Sequence, residues 1–229
     1  MQFLILLVLA SLMPSMAFAD CVAGFDGWKQ AKKAQGVTVS KRQLANGQLE
    51  VCASTAVRTQ LSAFILLLRD TEHAPQWIAN AHRVTLLERP AHNVDVVHSI
   101  FDSPWPVQDR DLVTRSQYQQ DADSLVLTLQ VHSVPDALPP SPNTVRMDNV
   151  RGVWELTPLQ EGWVAIRYQG EGDPGGNIPN WLAQQILVSS TFETFANLKK
   201  MLPLPQYQNK PFRDIRELVI NTQNSAAIP

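Results

Sequence analysis

The sequence lacks the usual marks of a catalyst. It has no G-x-S-x-G, no H-E-x-x-H and no glycine-rich phosphate loop. Its five histidines, His73, His82, His92, His98 and His132, have no metal-ligand spacing. It has little charge imbalance: the net charge of −2 argues neither for nucleic acid nor for strong electrostatic attachment to anionic lipid. After the first residues no apolar run is long enough to span a membrane, and no repeat or low-complexity tract interrupts the chain. Cysteine is almost absent, with only Cys21 and Cys52.

What is present begins with MQFLILLVLASLMPSMAFA. An apolar run, Pro14 and the triplet Ala17-Phe18-Ala19 read as a secretory signal peptide over residues 1–19, cleaved after Ala19. An uncleaved anchor is the alternative, because the n-region has no Lys or Arg. The acid at Asp20, directly before Cys21, rules against a lipobox. Export places the mature chain in the periplasm or outside the cell, where Cys21 and Cys52 are expected to form a disulfide. Residues 20–229 have the length of one large domain.

Phe25–Gln35 reads as a short amphipathic helix closed by Gly36. Val37–Gln43 and Gln48–Val57 read as strands joined by Asn46-Gly47, a hairpin signal. Leu61–Leu68 is apolar enough for a buried helix, and Pro75–Ala81 for a shorter one. From Arg83 the period changes to two. Strands are expected at Arg83–Arg89, Asn93–Phe101, Asp111–Gln119, Ser124–Ser133, Thr144–Asp148, Gly152–Leu159 and Trp163–Gly170. A proline-rich loop, Val134–Asn143, interrupts them.

The chain is organised around its last long segment, Gly175 to Leu202. Asp173-Pro174-Gly175-Gly176-Asn177 is turn chemistry, Pro179 suits a first helical turn, and the prolines at 203 and 205 stop the helix. One wheel face carries Ile178, Trp181, Val188, Phe192, Phe195 and Ala196, with Gln185 inside the stripe. The order of elements gives an α+β architecture, a mostly antiparallel sheet with helices on its faces and ends. Its candidate inner positions are mixed. Asp95, Thr114, Arg146, Gln185 and Ser189 lie among apolar residues, which suits a cavity better than a dry core. Some of these positions point outward in the alternative reading.

Trp105-Pro106-Val107-Gln108-Asp109-Arg110-Asp111-Leu112-Val113 resembles the signature of the START family of lipid-transfer domains. Other matches follow that family's order: Trp77-Ile78, Val145-Arg146-Met147, Gly152–Leu159, Asp173–Gly176 and Ile178–Leu182. Together they cover roughly residues 24 to 204. The resemblance implies a helix-grip fold, with a curved sheet wrapped around the C-terminal helix and a cavity beneath it. It implies a lipid or other hydrophobic small molecule as ligand, with no cofactor and no metal. The expected lining residues are Asp95, Val97, Thr114, Arg146, Trp154, Trp181, Gln185, Val188 and Phe192. Trp105, Pro106, Arg110 and Asp111 are expected to be structural, with the Arg110 guanidinium clamped between Asp109 and Asp111. The acid and base that face each other in some steroid-binding members fall on Val97 and Ser116, so a sterol ligand does not carry over.

Transport, transient membrane contact and a monomer are the expected behaviour, with helix 178–202 and loop 134–143 as the gate. The alternative is an aromatase/cyclase-like enzyme on the same scaffold. Its acid–base candidates are Asp95, His98 and Arg146. A small, empty interaction module is a third reading.

Overall fold

The structure is a computed structural model that describes residues 24, 26–173, 175, 176 and 178–219. The signal peptide and Cys21 lie outside them. Ten strands form one sheet: β1 (Lys29–Ala34), β2 (Val37–Gln43), β3 (Leu49–Arg58), β4 (Ala81–Ala91), β5 (Val94–Phe101), β6 (Asp109–Gln120), β7 (Leu127–Ser133), β8 (Thr144–Arg146), β9 (Asp148–Pro158) and β10 (Trp163–Asp173). The spatial order is β1-β2-β3-β10-β9-β7-β6-β5-β4, all antiparallel. The short β8 adds in parallel to the start of β6. Two helices, α1 (Leu61–Arg69) and α2 (Asn180–Met201), complete the fold. This is a helix-grip arrangement, a large curved sheet holding a C-terminal helix.

One expected helix is a strand. Residues 29–34 form β1 at the sheet edge, exposed along its whole length. The apolar spacing that suggested a helix is weak in KQAKKA, and pairing with β2 satisfies the backbone instead. The helix expected at Pro75–Ala81 is only a 3-10 turn at Ala74–Gln76, and Ala81 already belongs to β4. Pro179 caps α2 from outside rather than entering it.

At roughly 25 cal/mol per Å² of apolar surface buried, the core is the main favourable contribution to folding. It lies at one end of the concave face. There Phe64 and Leu67 of α1 meet Phe195, Leu198 and Leu202, with Leu127, Leu156 and Ile166 beneath them. Trp154 joins the layers, stacked on Phe195 at 5.3 Å and tilted against Phe64 at 5.4 Å.

The chain after α2 belongs to this core. Tyr207 and Ile215 are buried, and Glu217 accepts hydrogen bonds from the N–H groups of Leu61 and Ser62, each at 2.8 Å. The residue before α1, Gln60, makes no side-chain cap, so a carboxylate 156 positions away satisfies those orphan donors. Glu217→Ala is expected to cost about 1.5–3 kcal/mol. A shift of the urea midpoint without a change of slope checks this.

Candidate functional site

Alternation along the strands decides which residues face inward. On β5 the concave positions are odd: Asp95, Val97, Ser99 and Phe101. On β6 they are even: Arg110, Leu112, Thr114, Ser116 and Tyr118. These residues, with Leu129, Val131, Trp154 and Tyr168 from β7, β9 and β10, line a cavity of about 760 Å³. Its roof is the inner face of α2, including Ala183, Leu187, Thr191 and Phe195. The turn Trp77–Asn80 and the end of α1 close one side.

The wall is largely apolar, with charge near both ends. At one end Asp95 accepts from Arg69 Nε at 2.9 Å and also from Arg89 Nε. Arg69 stacks over Phe212 at 4.9 Å, which fixes its position. At the other end is Arg110, 6% exposed, donating to the carbonyls of Gln108 and Gly175. Burial lowers the Arg110 pKa, and the Asp109 carboxylate opposes that shift. Phe101 pairs with Arg110, so the two charged regions are about 20 Å apart at the usual rise per strand residue.

Tyr168 supplies a further polar group on the cavity wall. Its ring runs along the sheet over Gly170 and Gly152, which face each other in the β9–β10 register. A Cβ on Gly170 would come within 2.1 Å of the Tyr168 hydroxyl, and one on Gly152 within 2.8 Å. The two glycines therefore make room for the phenol. Burial pushes the Tyr168 pKa up to about 12, so the group stays neutral and able to donate.

Of the expected lining residues, Asp95, Val97, Thr114 and Trp154 face the cavity. Arg146, Trp181, Gln185, Val188 and Phe192 do not line it. Arg146 sits on the convex side. Its guanidinium binds Asp111 at 2.7 Å and the carbonyls of Leu138 and Pro139 at 2.9 and 3.1 Å. Trp181 is 67% exposed and Gln185 is also exposed. The wheel treated all of α2 as one environment, but that stripe points to solvent near the N-terminus and reaches Phe192 under β1 further along. Tyr168, Arg69 and Arg89 are cavity residues that the sequence reading missed. The alternating Tyr168, Gly170 and Gly172 was the available signal for the first.

The clamp is also different. Alternation turns Arg110 to the concave side and Asp111 to the convex side, where Asp111 is fully buried. Asp111 pairs with Arg146 rather than Arg110. It also accepts from Thr144 Oγ1 at 2.8 Å and lies 3.0 Å from His98 Nε2. This cluster pins loop 134–143 to the convex face, through Arg146 and through Ser141, 3.3 Å from His98. No residue of loop 134–143 lines the cavity. Trp105, expected as a rigid strand entry, is 92% exposed in the β5–β6 connection, whose Ser103 and Val107 line the mouth. Cys52 is buried in β3 and disulfide-bonded.

A curved sheet gripping one helix over an apolar chamber defines a binding fold for hydrophobic small molecules. The chain belongs to the START domain family, whose model matches residues 18–206. It is 31% identical to a STAR-related lipid transfer protein from Xanthomonas axonopodis, over 78% of this chain and 100% of that one, with a TM-score of 0.72. An uncharacterized protein of Pseudomonas aeruginosa is 27% identical over 175 residues, 76% of this chain and 86% of that protein. Human StAR-related lipid transfer protein 5 shares the fold at 18% identity and a TM-score of 0.69, over 78% of this chain and 87% of that one.

Proposed function

We propose that this protein is a non-enzymatic carrier that binds one lipid, or a similar hydrophobic molecule, in the cavity and exchanges it under α2. The observation that carries this reading is the chamber of about 760 Å³, with a largely apolar wall, charge near its ends and a neutral phenol on the wall. Apolar burial drives binding, and the few polar groups orient the ligand. The cyclase alternative needs an acid–base pair inside the pocket. His98 and Arg146 are on the other face of the sheet, and Asp95 is held by two arginines.

The halves of α2 have different roles. From Thr191 onward it is rooted in the core through Phe192, Phe195, Leu198 and Met201. From Asn180 to Ser190 no residue is fully buried. That half is the lid. Signal-peptide cleavage after Ala19 and export complete the reading.

Native mass spectrometry of the protein exported by its own host tests this. The expected result is a chain beginning at Asp20, with no thiol free to alkylate before reduction and one lipid retained. A chain that retains Met1 would overturn cleavage after Ala19. An empty protein that acquires no lipid from vesicles would overturn the carrier reading.

A further inference from the structure

The chain has three tyrosines, and two of them use their hydroxyls within the protein. Tyr118 donates to the His92 carbonyl at 3.2 Å, and Tyr207 donates to Asp70 at 2.8 Å. Tyr168 has no hydrogen-bond partner among the described residues. Its ring is nevertheless well placed. It lies 4.8 Å from that of Trp154, tilted by 44°, and its hydroxyl rests over Gly170 and Gly152. The side chain is partly buried against the core and lines the cavity, so its remaining exposed surface faces the chamber. A hydroxyl held at a cavity wall without a protein acceptor is set for one that water or a ligand brings.

The surroundings narrow the chemistry of that acceptor. No charged group moves the Tyr168 pKa; burial alone raises it, to about 12. The register gives the reason. Gly152 pairs with Val131, Val131 with Ser116 and Ser116 with Asp95, so Asp95 lies three strands away, roughly 14 Å along the sheet. On the other side Gly170 pairs with Val51 and Val51 with Lys41, but Lys41 Nζ donates to Gln184 Oε1 at 3.4 Å and does not line the cavity. A carboxylate or phosphate beside the phenol would therefore lose its hydration with no cation to pair with. An alcohol or amide would bring a donor of its own, and Val131 and the Trp154 ring offer that donor no acceptor. An ester carbonyl accepts without donating, so one hydroxyl satisfies it. An ether oxygen accepts less strongly, because no carbonyl dipole polarises it.

We propose that Tyr168 makes the protein selective for acyl esters: its hydroxyl donates to an ester carbonyl of the bound lipid, and Gly152 and Gly170 are the floor that places it. The inference rests on the carrier reading above. Both glycines are needed for the side chain they lack. A Cβ at 170 would stand 2.1 Å from the hydroxyl and one at 152 would stand 2.8 Å from it, so either would push the phenol off the wall. Trp154, itself stacked on Phe195, limits where else the ring can go. A donor fixed before binding needs little ordering when the ligand arrives.

The test is a competition on the full mature protein, read by native mass spectrometry. The probe is vesicles of phosphatidylethanolamine and phosphatidylglycerol, each present in equal amounts as the diacyl ester and as the dialkyl ether of the same chain length. The two forms differ only in the carbonyls and are told apart by mass. The wild type is expected to hold the ester form in roughly tenfold excess. Tyr168→Phe keeps the ring and its contact with Trp154, and is expected to hold the two forms nearly equally. Gly170→Ala keeps the hydroxyl but drives it from its floor, and is expected to lose the preference as well. A preference that survives in Tyr168→Phe overturns the proposal. One that survives in Gly170→Ala overturns the glycine floor as the device that places the donor. The ratio is read only on protein that holds lipid, so poor folding of a variant does not imitate a lost preference, and the wild-type ratio stands by itself. A wild type that holds both forms equally overturns this proposal and leaves the carrier reading standing. A wild type that takes up neither form overturns the carrier reading, and this proposal with it.

Discussion

Asp111→Ala is expected to destabilise the protein by about 3–5 kcal/mol, because it leaves a buried guanidinium without its carboxylate. At this chain length that lowers the melting temperature by on the order of 10 °C. Asp111 has no exposed surface, and Arg146, Thr144 and His98 all converge on it. The loss extends beyond one pair. Arg146 also holds the carbonyls of loop 134–143, so β8 and the start of β6 loosen together. The effect has a pH signature. Burial alone would raise the Asp111 pKa, but hydrogen bonds from Arg146, Thr144 and His98 outweigh it and hold the pKa below the usual value. A depressed carboxyl contributes stability above its unfolded pKa, near 3.9 for Asp, and that contribution is lost as pH falls through the folded value. The wild type is therefore expected to lose this increment below about pH 4, while Asp111→Ala has none to lose. Thermal melting at neutral pH and in acid reads both effects. A neutral-pH melting temperature within about 2 °C of wild type would show that the cluster carries little stability.

That cluster also shows where sequence reading stops. Strand positions were legible because turn residues and period-two runs are local, so β2 to β7, β9 and β10 fall close to their expected places. The family signature was legible for the same reason. Facing was not. Asp95, Val97 and Thr114 line the cavity, yet Arg110 and Asp111, adjacent in sequence, point to opposite faces and do not clamp each other. Register fixes that, and register depends on partner strands. Arg146 looked like a cavity charge because its partner Asp111 is 35 positions away. The cap on α1 was invisible because Glu217 lies beyond the recognised signature.

Tying the lid half of α2 to the wall is expected to slow lipid exchange between vesicles by tenfold or more, on the order of complete gating. The lid is lightly held. Asn80 Nδ2 donates to Ser190 Oγ at 2.9 Å, and Lys41 Nζ donates to Gln184 Oε1 at 3.4 Å. Nothing comparable to the Phe195–Leu198 core anchors residues 180–190. The boundary between the halves has its own weakness. Ser189 and Thr191 turn their hydroxyls back to the carbonyls of Gln185 and Leu187, an arrangement that bends helices. At the other end Gly175 and Gly176 have φ of 67° and 69°, a conformation that glycine enters without strain. On the carrier reading the lid is expected to swing about residues 189–191 while the C-terminal half of α2 stays in the core. Cysteines at 80 and 190, in a background without Cys21 and Cys52, joined by a short bis-maleimide, make the lock. The same protein with each thiol capped singly is the control for the substitutions. If locked and capped proteins exchange a fluorescent phospholipid at the same rate, the ligand enters elsewhere and the lid reading is wrong. If only the locked protein stalls while still holding its lipid, the motion of residues 180–190 limits transfer.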